Sequence, residues 1–149
     1  MSRKDLQDPL RVKYDVQRRH FLGNGADGGV VRGVALAGLH KGRWVALKYL
    51  STEGYTPDRE ARLLQQLKHP NVQELLEVFQ PTAQRPQMVL VMPEADFDLR
   101  TYLGRSRGFP AASQGWNTAR LSTDVMHCLA TQLLAGISYL DAQRVFTVI

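Results

Sequence analysis

The sequence predicts an α+β protein: a five-stranded antiparallel sheet carrying one helix, followed by the first helices of a second layer. Three observations carry that expectation. Two β-prone runs between Val30 and Leu50 are separated by a turn-forming stretch, Gly38 to Gly42. At Thr56 the pattern changes to a helical period. Beyond Ser122, the residues Val125, Leu129, Leu133, Ile137 and Leu140 recur at helical spacing.

The elements follow in order. Residues 1–13 are polar and read as a flexible N-terminal arm. Tyr14 to Leu22 is a first strand of mixed polarity, ending in a glycine cluster from Gly23 to Gly29. Val30 to Leu36 and Arg43 to Leu50 complete a three-stranded meander. Thr56 before Pro57 fits an N-cap with a first-turn proline. Asp58 and Glu60 then lie where the helix dipole favours anions. Leu63, Leu64 and Leu67 supply the apolar stripe, and Pro70 closes the helix. Val72 to Phe79 and Met88 to Met92 read as the last two strands, with Pro81 and Pro86 in the loop between them. Asp98 to Leu103 is expected as a short helix, 104–120 as a loop, and Ser122 as the cap of a final long helix.

Composition narrows the function classes. The chain has 149 residues, 44% hydrophobic and 22% charged, which is about one domain and excludes collagen-like, coiled-coil and strongly disordered classes. No apolar run approaches the roughly 20 residues that cross a bilayer, and no apolar segment follows Met1 to Asp5, so no membrane association is expected. The single cysteine, Cys128, forms no internal disulfide, fits a reducing compartment, and reads as a small core residue of the last helix. Net charge is +5, from 19 Lys and Arg against 14 Asp and Glu. The basic residues near the start lack interleaved aromatics, so nucleic-acid binding is not expected. His20, His40, His69 and His127 show no metal-ligand spacing, and no metal site is expected. Trp44 and Trp116 read as packing residues.

Three features carry chemistry. Gly23, Gly25 and Gly28 allow tight turning and close backbone approach to a ligand. In a dinucleotide-binding fold such glycines open a helix. Here Val30-Val31 continues as strand, so the glycines lie in a hairpin, either a lid over phosphates or a hairpin without a ligand. Next, alternation places Ala46 and Lys48 on one face of a strand. A small residue leaves room for a flat ring, and an ammonium two residues on reaches phosphates; Lys48 also reads as an ordinary solvent-facing lysine. Finally, Glu60 is either the counter-charge of Lys48, brought by a helix on the sheet, or a surface residue serving the dipole.

Together these residues resemble the small lobe of a eukaryotic protein kinase. The likeness rests on Gly23-x-Gly25-x-x-Gly28-x-Val30, Val45-Ala46-x-Lys48, and the run Arg59-Glu60 to His69-Pro70-Asn71-Val72. Val91 to Leu99 is similar to the hinge of the cyclin-dependent group. Within that group the chain most resembles the Mediator-associated, cyclin C-partnered kinases. That likeness uses the short Lys48-to-Glu60 interval, Ala95-x-x-Asp98-Leu99, and Leu133 to Leu140. The resemblance spans about Tyr14 to Phe146. It implies a small lobe over 14–92, a hinge over 93–98, and a large lobe starting at 99–149. It also implies ATP as ligand. Gly23, Gly25 and Gly28 would cover the phosphates, Lys48, held by Glu60, would contact them, and Leu22 would also belong to the nucleotide-binding residues. Val30, Ala46 and Met92 would line the adenine pocket, with Met92 as gatekeeper. Glu94 and Ala95 would meet the adenine edge through their backbones, with Asp98 just beyond. A cyclin would grip the helix 57–68. The location implied is nuclear or cytoplasmic, and nuclear if the Mediator-type likeness holds.

The sequence departs from the family in three places. Asp27 stands at the tip of the glycine turn, where the family commonly has an aromatic, and its carboxylate opposes phosphate. Pro93 removes one N–H donor from the hinge. The family places His-Arg-Asp just after the helix that here ends near Arg144, yet Val145-Phe146 leads into Thr147-Val148-Ile149. The resemblance therefore implies an incomplete large lobe, no catalytic base, no magnesium-holding residues and no phosphoryl transfer by this chain. The alternatives are a non-catalytic cyclin-binding module, or a truncated product without function, exposing Leu129, Leu133 and Ile137.

Overall fold

The computed structural model describes residues 8–25, 28–50, 57–96, 98–99 and 122–145. The chain divides into two compact units, residues 1–94 and 95–149. The first is built on a sheet of β1 (Tyr14–Gly25), β2 (Gly28–Ala35), β3 (Trp44–Leu50), β4 (Glu77–Phe79) and β5 (Met88–Pro93). The spatial order is β1-β2-β3-β5-β4, and every neighbouring pair is antiparallel. The β2–β3 connection turns at Gly38 and Gly42, with φ of +79° and +80°, a conformation glycine adopts without a Cβ clash.

Alternation along the strands divides the core between two faces. Val31, Val45, Leu47, Val89 and Val91 pack on one face with Leu10, Tyr14 and Phe79. Leu50, Met88 and Leu90 pack on the other against Ala61. Both faces of β5 are thus covered, which is why Met88-Val89-Leu90-Val91 is an unbroken apolar run. Ala61 belongs to α2 (Pro57–Gln66), whose inward positions also include Leu64 and the following Leu67. Its expected cap, Thr56, lies outside the described residues.

Two expectations are corrected here. Residues 9–13 are not part of an arm: they form α1 (Pro9–Lys13), and Leu10 is 1% exposed in the core. Asp8 caps this helix, its Oδ1 accepting from the Leu10 N–H at 3.2 Å. Its other oxygen meets Arg85 Nε at 3.3 Å, a partner far along the chain that no local pattern reveals. The fourth strand, expected from Val72, is only Glu77–Phe79. The Val72 N–H is committed to His69 O at 3.1 Å, closing a turn, and pairing with β5 begins only where Leu76 N–H meets Val91 O at 2.8 Å.

The seam where α1 joins the sheet is polar and aromatic. Tyr14 donates to Glu77 Oε2 at 3.1 Å, and Lys13 pairs with Glu77. Tyr14 also meets Phe79 edge-on, with centroids 5.9 Å apart. Burial first, then the charge and hydrogen bond of Glu77, push the Tyr14 phenol up to about 12. Along β1 the register breaks. Gln17 pairs with Arg32 and Phe21 with Val31, so Arg18, Arg19 and His20 bulge out between adjacent partners.

In the second unit, α3 (Thr123–Ala142) starts at Ser122, whose Oγ accepts from the Val125 N–H at 3.3 Å. Three residues of the expected stripe, Leu129, Leu133 and Ile137, are exposed, Val125 and Leu140 are half-buried, and Gly136 is the buried residue of the helix. Cys128, expected in a core, is exposed too and accepts from Gln132 Nε2 at 3.1 Å. The short helix and loop expected over 98–120 lie outside the described residues, apart from Asp98 and Leu99. No helix among the described residues is long and apolar enough to cross a membrane.

Candidate functional site

The predicted site residues of the first unit gather on the face of the sheet that carries α2. Cross-strand register builds two parallel rows there. Val30 pairs with Lys48, which pairs with Leu90; Arg32 pairs with Ala46, which pairs with Met92. Val30, Ala46 and Met92 are half-buried side chains on this one face. Ala46, the smallest of them, leaves space above the strand between its cross-strand neighbours Arg32 and Met92.

Lys48 is held from the side. Its ammonium donates to both carboxylate oxygens of Glu60, at 2.7 and 3.0 Å. The two side chains are 19% and 23% exposed, so the ion pair is partly withdrawn from water while the lysine keeps an open side. Of the two readings of Glu60, the structure selects the counter-charge. The spacing follows from the fold: β3 delivers Lys48, and the first turn of α2 delivers Glu60 over the same face.

The glycine turn closes the end of the β1–β2 ladder. Gly23 pairs with Val30, and Gly25 pairs with Gly28, so the two strands run tightly together up to the turn. Ala26 and Asp27 lie outside the described residues. Leu22 sits at a second register break, between Phe21 and Gly23, and is 41% exposed. Gly29 approaches the Phe21 ring so closely that a Cβ there would lie 3.0 Å from it.

One residue of the site was not singled out from the sequence. Arg32 shares a row with Ala46 and Met92, and its Nε donates to both oxygens of Glu94, at 2.9 and 2.8 Å. Its guanidinium also stacks 4.9 Å over the Trp44 ring. The Glu94 carboxylate is thereby committed to β2, leaving its backbone as the group the site can use. The signal was available in parity, since Arg32 is two residues from Val30 and therefore on the same face. Ala95 and Asp98 are exposed and belong to the second unit. Among the described residues, no group of three or more His, Cys, Asp or Glu side chains is placed to hold a metal ion.

A glycine hairpin, a strand lysine fixed by a helical glutamate, and a small-residue platform beside them form one connected surface. The family described as protein tyrosine and serine/threonine kinase matches residues 16–146. The chain belongs to the protein kinase family. The sheet with α2 is the kinase small lobe, and α3 lies in the helical layer that follows it in kinases. No curated protein matches the chain.

Proposed function

We propose that the first unit of this kinase chain binds ATP. The adenine lies against Val30, Ala46 and Met92, and the phosphates lie beneath the turn formed by Gly23, Gly25 and Gly28, beside Leu22. Lys48, oriented by Glu60, contacts the phosphates, and the backbone at Glu94 meets the adenine edge. Ala95, Asp98, the cyclin-dependent type and a cyclin on 57–68 enter this proposal through the sequence resemblance. The observation that carries the reading is the Lys48–Glu60 ion pair, set one row from the Ala46–Met92 platform. A lysine held by one carboxylate and open on one side is preorganised for a second anion.

In the family, magnesium bridges the phosphates and the acceptor hydroxyl is oriented by a catalytic aspartate. These 149 residues contain neither His-Arg-Asp nor Asp-Phe-Gly. We therefore propose nucleotide binding without turnover by these residues alone. The test is calorimetric titration of the 149-residue chain with magnesium-ATP, alongside Lys48→Met. Saturable binding is expected, weakened roughly tenfold or more by losing one charge-assisted contact. Absence of saturation, or equal affinity in the variant, overturns the reading. Phosphate incorporation into a protein substrate that Lys48→Met abolishes overturns the absence of turnover.

A further inference from the structure

The end of β5 is held by a side-chain clamp. Its last residue, Pro93, pairs with Val45 but has no N–H to give the sheet. Glu94 follows that last pair, so the ladder alone does not fix its backbone. Arg32 takes over the task. Its Nε donates to both Glu94 oxygens, at 2.9 and 2.8 Å, and its Nη2 donates to Oε1 as well.

Arg32 lies on β2 and Glu94 follows β5, with β3 between them. Neighbouring strands stand about 4.8 Å apart, so this ion pair bridges the width of a whole strand. Arg32 is opposite Ala46 in the register, and Trp44 is two residues from Ala46, on the same face. The guanidinium lies 4.9 Å over the Trp44 ring. The bridge therefore crosses β3 beside Ala46, the residue whose small size leaves room for a flat ring. Its geometry is that of a fixed contact. The Glu94 side chain is 10% exposed and that of Arg32 34%, two nitrogens share one carboxylate, and the guanidinium face is stacked. Exposed ion pairs contribute little, but a forked pair on a desolvated carboxylate restricts both partners.

We propose that Arg32 is a positioning residue for base recognition: by clamping Glu94 across β3 it holds the Glu94 backbone against the adenine edge. The inference rests on the ATP reading of the same site and divides that site in two. Lys48 and the glycine turn serve the phosphates, whereas the Arg32–Glu94–Trp44 clamp serves the base. The ion pair is neutral as a whole, so removing both of its charges together leaves the field at the phosphates nearly unchanged.

The test is calorimetric titration of the 149-residue chain with magnesium-ATP and with magnesium-tripolyphosphate, which has the phosphates without the base. Wild type is expected to bind ATP more tightly than tripolyphosphate. Arg32→Met combined with Glu94→Gln is expected to weaken ATP roughly tenfold and to leave tripolyphosphate within about twofold. Lys48→Met is expected to weaken both ligands. Arg32→Lys, which keeps the charge but loses the fork and much of the stack, is expected to fall between wild type and the double variant for ATP. Thermal unfolding confirms that the variants are folded at the titration temperature, and Arg32→Lys carries the comparison should the double variant not fold. An ATP-to-tripolyphosphate affinity ratio unchanged from wild type overturns the proposal, whether both affinities fall together or neither falls. Saturable wild-type binding of both ligands with equal affinity overturns it too, while leaving a phosphate site in place. No saturable ATP binding by wild type overturns the ATP reading itself and the role of Arg32 with it.

Discussion

Asp8→Ala measures how much of the small lobe depends on α1. Asp8 does two things at once: it caps the helix at Leu10 and neutralises Arg85. Losing an N-cap costs about 1 kcal/mol. Removing one partner of a buried ion pair costs about 3–5 kcal/mol, because the remaining charge stays in the interior. Both side chains qualify as buried, at 9% and 8% exposed. Arg85 keeps its bonds to Gln80 O and Gln87 O, which shield part of its charge and bring the expected total to about 3 kcal/mol. For a chain of this length that corresponds to a fall in Tm of roughly 6–12 °C. The assay is thermal unfolding followed by Trp44 fluorescence in a Trp116→Phe background, so that the signal comes from β3. A double-mutant cycle with Arg85→Met is expected to show a coupling of at least about 1 kcal/mol, since the second change removes the orphaned charge. A shift below about 1 °C for Asp8→Ala, with additive effects in the cycle, refutes the reasoning and returns residues 8–13 to the status of an arm.

Two further outcomes are expected. A Cβ at position 33 would stand 2.8 Å from Leu47 Cδ1 and 3.2 Å from Asp15 O, with Leu47 fully buried. Gly33→Ala is therefore expected to cost about 1–3 kcal/mol in urea unfolding, and an unchanged midpoint contradicts the close approach of β2 to β3. Tyr14 is an acid whose folded value is raised, to about 12 from 10.0, so its contribution is complete below pH 10 and is lost as pH rises towards 12. Wild type is expected to lose on the order of 2 kcal/mol across that window, and Tyr14→Phe to flatten that part of the profile. Parallel alkaline profiles for the two proteins would show that burial and Glu77 exert no such hold on the phenol.

Much of the fold was readable from short-range pattern. Val45-Ala46-Leu47-Lys48 alternates strictly, and the structure buries Val45 and Leu47 on one face while setting Ala46 and Lys48 on the other. The Ser122 cap was readable because its partner, Val125, is three residues away. What escaped was set by distant partners. Arg85 acquires its meaning from Asp8, 77 residues earlier, and Glu94 from Arg32, 62 residues earlier. Helix α1 was the avoidable miss: Asp8-Pro9 carries the same cap-then-proline signal as Thr56-Pro57, hidden by a polar surrounding. The β1 bulge leaves no mark in composition, because Arg18, Arg19 and His20 look like any exposed strand residues.

The strand order has a consequence for synthesis on the ribosome. The β1–β2–β3 meander and the Lys48–Glu60 pair need only residues close in the chain, so they can form soon after they emerge. β5 inserts between β3 and β4, and α1 finds Arg85 only when the β4–β5 connection has been made. Until that moment β3 is an open edge carrying the buried Val45 and Leu47, the kind of surface that pairs with a neighbouring chain. The interval between the emergence of Leu50 and that of Met88 is therefore the nascent chain's period of greatest exposure to aggregation, and it ends with the same strand that brings Met92 beside Ala46.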